Sequence, residues 1–64
     1  MRETTLWAKL ESVLGSGYAH AWAEQIVLTD LGGRTVTEAL AEGRDGKTIW
    51  RAVCLQLELP AERI

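Results

Sequence analysis

Only two side chains in this 64-residue chain are natural candidates for nucleophile or general base near neutral pH: one histidine, His20, and one cysteine, Cys54. A catalytic histidine needs a nucleophile or a carboxylate held within hydrogen-bond reach. His20 falls on the outward side of an amphipathic segment with no such companion nearby in sequence, which points to surface or edge packing. A reactive cysteine needs a lowered pKa from a helix N-terminus or a cationic neighbour. Cys54 lies on an apolar stripe near the end of the last helical segment, where a free cysteine acts as a small buried hydrophobe. One histidine and one cysteine cannot assemble a Cys/His zinc site within one chain, and one cysteine forms no internal disulfide. The expectation is a protein without catalytic residues, metal or cofactor, and no small-molecule substrate can be inferred.

Three further features bear on binding. Trp7, Trp22 and Trp50 each sit on an apolar stripe in a chain with no phenylalanine. Large rings supply much buried area in a small core, so at least two of the three are expected inside. The stretch Gly32-Gly33-Arg34-Thr35 has glycines ahead of a helix start but lacks the lysine and spacing of a nucleotide-binding loop. It reads as a helix stop followed by a cap. The third feature is Ala39, Gly43 and Ile49, four and then six residues apart. A helix-turn-helix unit needs a small residue where two helices touch, a glycine in the turn, and a branched apolar residue in the second helix. In that reading Lys47, Thr48 and Arg51 reach bases or phosphates in the major groove, and Arg34 and Arg44 add backbone contacts. Against it, Arg44 stands where the motif prefers an apolar residue, and the groove-facing side would include apolar Trp50 and Cys54. Covering of Trp50 by the first two helices would close that face, whereas its exposure beside Lys47 and Arg51 would open it.

The elements that must position these residues are marked out by glycines at 15, 17, 32, 33, 43 and 46. The first helix is expected from about Thr5 to Leu14, capped by Thr4, with Leu6, Trp7, Leu10, Val13 and Leu14 on one face. The second is expected from Tyr18 to Asp30, its stripe formed by Ala19, Trp22, Ala23, Ile26 and Val27. The third runs from Val36 to Glu42, with Thr35 and Glu38 at capping-box spacing. The fourth runs from Gly46 to Leu57, capped by Asp45, with Ile49, Trp50, Val53, Cys54 and Leu57 inward and Pro60 beyond its end. No segment alternates with period two. The fold class is therefore all-α: a compact bundle of four short helices forming one domain over 1–64, the last two helix-turn-helix-like. Leu28 and Leu55 are expected to project outward and form a patch for a protein partner or self-association.

The balance of 47% hydrophobic and 25% charged residues is that of a folding chain rather than a disordered one. No apolar run is long enough to span a bilayer. The N-terminal residues lack the basic start and apolar core of a signal peptide, and a lone unpaired cysteine suits a reducing compartment, so a cytoplasmic location is expected. The net charge of −2 argues against a dedicated polyanion binder, whose affinity rests on phosphate neutralisation. The charge is uneven, however. Residues 34–51 carry four basic against three acidic side chains, and the flanking segments are net acidic.

The residues Met1-Arg2-Glu3-Thr4 with Trp7, Val27-Leu28, Gly33-Arg34-Thr35, Glu38-Ala39-Leu40, Gly43, and Trp50-Arg51-Ala52-Val53-Cys54 followed by Leu59-Pro60 and Glu62-Arg63 span almost the whole chain. In this pattern the chain resembles the small actinobacterial proteins grouped as domain-of-unknown-function family 3046. The resemblance implies a stand-alone protein of similar length with no assigned activity. Relatives encoded near recombination genes imply a DNA-linked role. Gly46 replaces the alanine or proline frequent in relatives, which implies a looser start to the fourth helix. Two functional readings stand together: a non-catalytic protein-interaction or accessory module, favoured by acidity and the apolar Trp50/Cys54 face, and a helix-turn-helix DNA binder using the start of the fourth helix.

Overall fold

A computed structural model describes residues 1–59 of the chain. Four α-helices follow one another: α1, Glu3–Leu14; α2, Ser16–Gln25; α3, Val36–Ala41; and α4, Gly46–Leu57. A 3-10 turn, Thr29–Leu31, lies between α2 and α3. The all-α bundle expected from the sequence is what forms. The described residues contain no strand, only an isolated antiparallel bridge between Leu28 and Arg34.

α1 begins two residues earlier than the sequence suggests. Arg2 occupies the N-cap position without a side-chain bond, and Thr4 lies inside the first turn rather than capping it. Glu3 in that first turn places a negative charge at the positive end of the helix. Gly15 alone separates α1 from α2, with φ +90° and ψ 143°. Its N–H donates to the Glu11 carbonyl at 2.8 Å, and its own carbonyl accepts from Ala19 N–H at 2.9 Å. A side chain at this backbone angle would be strained, so glycine permits the immediate reversal.

α2 stops at Gln25, five residues short of the expected end. The cause lies in Leu28 and Leu31. About 100° of rotation per residue would put Leu28, nine residues after Ala19, on the opposite face of a continued helix. The chain instead becomes extended at Ile26 (φ −89°, ψ 120°), and Leu28 N–H donates to the Arg34 carbonyl at 2.9 Å. This break turns both leucines inward: Leu28 is 0% exposed. The expectation of an outward Leu28 is thereby corrected. Its neighbour Val27, assigned to the inner stripe, is the residue left outside, 56% exposed.

The core draws on every element. Leu6 and Leu10 of α1, Ala19, Trp22 and Ala23 of α2, Leu28 and Leu31, Val36 and Ala39 of α3, and Ile49, Trp50, Ala52, Val53 and Cys54 of α4 form one buried cluster. Ala19 and Ala23, one turn apart and fully buried, are short enough to let neighbouring elements approach α2 closely. α1 packs on α2 and α4, α2 on α3, α3 on α4, and the 3-10 turn on α4. Two of the three tryptophans are in this core. Trp7 is half-buried, with its ring stacked on His20 (centroids 4.4 Å apart, planes 10° apart). Val13, counted on the inner stripe of α1, is instead exposed near the helix end. The reading of Pro60 as a stop and of 60–64 as a docked or fraying tail lies outside the described residues.

Candidate functional site

The α3–α4 pair is built on a local frame that the sequence encodes. Thr35 Oγ1 accepts from Glu38 N–H at 3.2 Å, and Thr35 N–H donates to Glu38 Oε1 at 2.9 Å, completing a capping box. Thr37 Oγ1 donates to the Ala23 carbonyl at 3.5 Å, tying the start of α3 to α2. After α3, Gly43 takes φ +81°. Gly43 N–H donates to the Leu40 carbonyl at 3.0 Å and Arg44 N–H to the Ala39 carbonyl at 3.1 Å. These bonds satisfy carbonyls that the end of α3 would otherwise leave open. Asp45 is the N-cap of α4, but its side chain makes no capping bond, so its expected role is fulfilled only in position.

The start of α4 is packed against the N-terminal residues. Gly46 is buried, and a Cβ built there would stand 3.1 Å from the Met1 carbonyl oxygen. A side chain at this position would require the Met1 backbone to give by a few tenths of an ångström. Ile49 N–H completes the first helical bond to the Asp45 carbonyl at 3.0 Å.

The five residues proposed for nucleic-acid contact divide into two groups. Arg34 and Arg44 converge on one acid: Arg34 Nε lies 2.6 Å from Glu42 Oε2, and Arg44 Nε 3.3 Å from Glu42 Oε1. Arg34 also donates from Nη1 to the Leu31 carbonyl at 3.1 Å. The hydrogen bond from Arg34, helped by Arg44, outweighs desolvation and holds the Glu42 carboxyl below its ordinary pKa. Glu42 therefore offsets part of the positive charge the two arginines would offer a phosphate backbone. Sequence reasoning missed this residue. It lies eight positions after Arg34, and only the α3 turn brings the two together.

Lys47, Thr48 and Arg51 form the second group. All three are exposed, and their spacing places them on one arc of α4. Leu55, four residues beyond Arg51, continues the same arc and is 59% exposed. Among the described residues Lys47 and Arg51 form no ion pair. Leu55 thus has the outward position expected of it, whereas its intended companion Leu28 is in the core.

The remainder of the α4 surface is closed at Trp50 and Cys54. Trp50 is 5% exposed and Cys54 2% exposed. Lys9 of α1 places its Nζ 5.8 Å from the centroid of the Trp50 ring, within cation–π range. The Trp50 indole N–H is fully enclosed and meets no hydrogen-bond acceptor among the described residues. Desolvation pushes the Cys54 thiol above its ordinary pKa, an effect that Lys9 only partly opposes. A thiol held in its protonated form is a poor nucleophile. Among the described residues no group of three His, Cys, Asp or Glu side chains is arranged to hold a metal ion. No helix among them is long and apolar enough to cross a membrane.

Searches of the curated proteins and of the solved structures gave no match. Residues 1–62 match the family described as "Protein of unknown function (DUF3046)". With nearly its whole length covered, the chain belongs to the DUF3046 family of proteins of unknown function.

Proposed function

We propose that the protein is a non-catalytic interaction module whose working surface is the outer arc of α4. The observation that carries this reading is the two-sidedness of the helix. Its inner side, with Gly46, Trp50 and Cys54, is packed into the core, while Lys47, Thr48, Arg51 and Leu55 stand together outside. A helix of twelve residues is held rigidly along one side, and the other side presents two cations and an apolar side chain. Rigid elements that present such groups lose little freedom on binding, which favours recognition. The absence of catalysis is part of the proposal, supported by a buried, protonated Cys54 and by a His20 occupied in stacking on Trp7. Its setting is proposed as cytoplasmic, where a single free thiol remains reduced.

The DNA-binding reading keeps one specific support. Ala39 and Ile49 are fully buried and Gly43 has the left-handed backbone of a helix-turn-helix turn. The arrangement of the basic residues weighs against it. Trp50 and Cys54, which would have widened the groove-facing side, are enclosed, so only the arc of Lys47, Thr48 and Arg51 is open to DNA. Arg34 and Arg44 are engaged by Glu42, leaving Lys47 and Arg51 as the outward cations of α4. Two phosphate contacts give a salt slope of only about −2 in log K against log salt.

A paired assay separates the readings. Immobilised wild-type protein should retain a protein partner from extracts of its own cells, and Arg51→Glu or Leu55→Asp should release it. Anisotropy with labelled duplex at low salt should show no saturable binding. Tight, salt-sensitive duplex binding lost in Lys47→Ala and Arg51→Ala would instead establish the DNA reading.

A further inference from the structure

We infer that the partner of the α4 arc is an acidic amphipathic helix, with two carboxylates one turn apart and an apolar side chain one turn further on. This inference rests on the interaction reading above and specifies its partner. Lys47, Arg51 and Leu55 are spaced by four residues each, so the arc runs about 12 Å along the helix. The order along it is cation, cation, apolar. Carboxylates facing Lys47 and Arg51 and an aliphatic group facing Leu55 complement that order side chain by side chain, the arrangement by which helix faces recognise each other. The ends of the arc set the class of partner. Exposed Asp45 precedes it and exposed Glu58 follows it. A uniformly charged phosphate backbone laid along α4 would meet both acids, with an apolar Leu55 beneath it. A peptide can place its acids only where Lys47 and Arg51 stand and remain neutral or basic at the ends. Among the described residues neither Lys47 nor Arg51 is held in an ion pair, and Glu42 is bonded to Arg34 and Arg44 instead.

The test is a nitrogen–proton NMR titration of the full chain with four probes. They are a synthetic amphipathic helical peptide of glutamate, leucine and alanine, the same peptide with every glutamate replaced by glutamine, polyglutamate, and a short DNA duplex. The acidic amphipathic peptide should shift the amides of Lys47, Thr48, Arg51 and Leu55. The glutamine peptide and polyglutamate should bind about tenfold more weakly, each lacking one of the two complementary features. Lys47→Glu with Arg51→Glu should abolish the shifts, and Leu55→Ala should weaken them several-fold. All three side chains are exposed, and unchanged far-UV circular dichroism would show that the variants are folded. Equal affinity for the glutamine peptide, or shifts on another face, overturns the inference about the partner. If cellular partner retention still depends on Arg51 and Leu55, the interaction reading survives that result. If the duplex alone saturates the α4 amides, both fall.

Discussion

Trp50 and Cys54 lie one turn apart on the inner side of α4, and each has a chemical consequence. An enclosed indole N–H that meets no acceptor, as Trp50 does among the described residues, costs about 1–3 kcal/mol. Trp50→Phe removes that donor while giving up part of the ring. It should therefore change stability by no more than about 1 kcal/mol in urea denaturation, whereas Trp50→Ala should lose about 3–5 kcal/mol. Cys54 should react slowly with a disulfide reagent in the native protein and rapidly in denaturant, because burial keeps the thiol protonated and covered. Glu42 behaves oppositely. Its carboxyl pKa is lowered in the folded protein, so it favours folding above the unfolded-state pKa, about 4.3 for glutamate, and that contribution disappears as pH falls through the lower folded value. Melting temperatures measured downward through that window should fall less steeply for Glu42→Gln than for wild type. The difference should shrink in high salt, because both ion pairs are exposed. The burial of Trp50 and Cys54 was legible from helical periodicity, which places them on the stripe of Ile49 and Val53. The Glu42 clamp was not, since its partners are brought to it by a turn rather than by helical spacing.

The third helix shows how much a short element depends on its ends. Six residues are too few to hold a helix unaided. The Thr35–Glu38 box and the left-handed Gly43 define its limits, and Val36 and Ala39 anchor it to the core. Thr35→Ala should cost about 1 kcal/mol in denaturant unfolding. Gly43→Ala should cost about 1–2 kcal/mol through backbone strain, since among the described residues nothing lies within 4 Å of the added Cβ. Both ends were legible, because capping residues and turn glycines act locally. The end of α2 was not. Ile26 and Val27 extend the apolar stripe of Ala19 and Trp22, and local pattern favours a continued helix. The early stop follows from the need to bury Leu28 and Leu31, which no local signal expresses. The same limit explains Leu28 in the expected surface patch: outward on a continued α2, it is inward once the helix breaks. Leu55 needed no such long-range information, because α4 ends where its own periodicity says it should.

At the scale of the molecule, α1 decides which side of α4 remains usable. It packs against both α2 and α4, and Lys9 lies over the Trp50 ring. The near-equal extents of 25, 23 and 21 Å describe helices wrapped about one core rather than laid out as a flat sheet of helices. In that arrangement Trp50 and Cys54 serve as core, and the arc of Lys47, Thr48, Arg51 and Leu55 is the side of α4 that stays exposed. The sequence showed the amphipathic helix and the outward Lys47, Thr48 and Arg51, but not that α1 would close the Trp50 side. The most direct measurement of this account is photo-crosslinking in the protein's own cells, with a photoreactive amino acid at position 55 and, as a control, at exposed Glu24 of α2. A discrete protein adduct is expected from position 55, abolished by Lys47→Glu with Arg51→Glu, and none from position 24. Crosslinking of position 55 to DNA, or the same adducts from both positions, would contradict it.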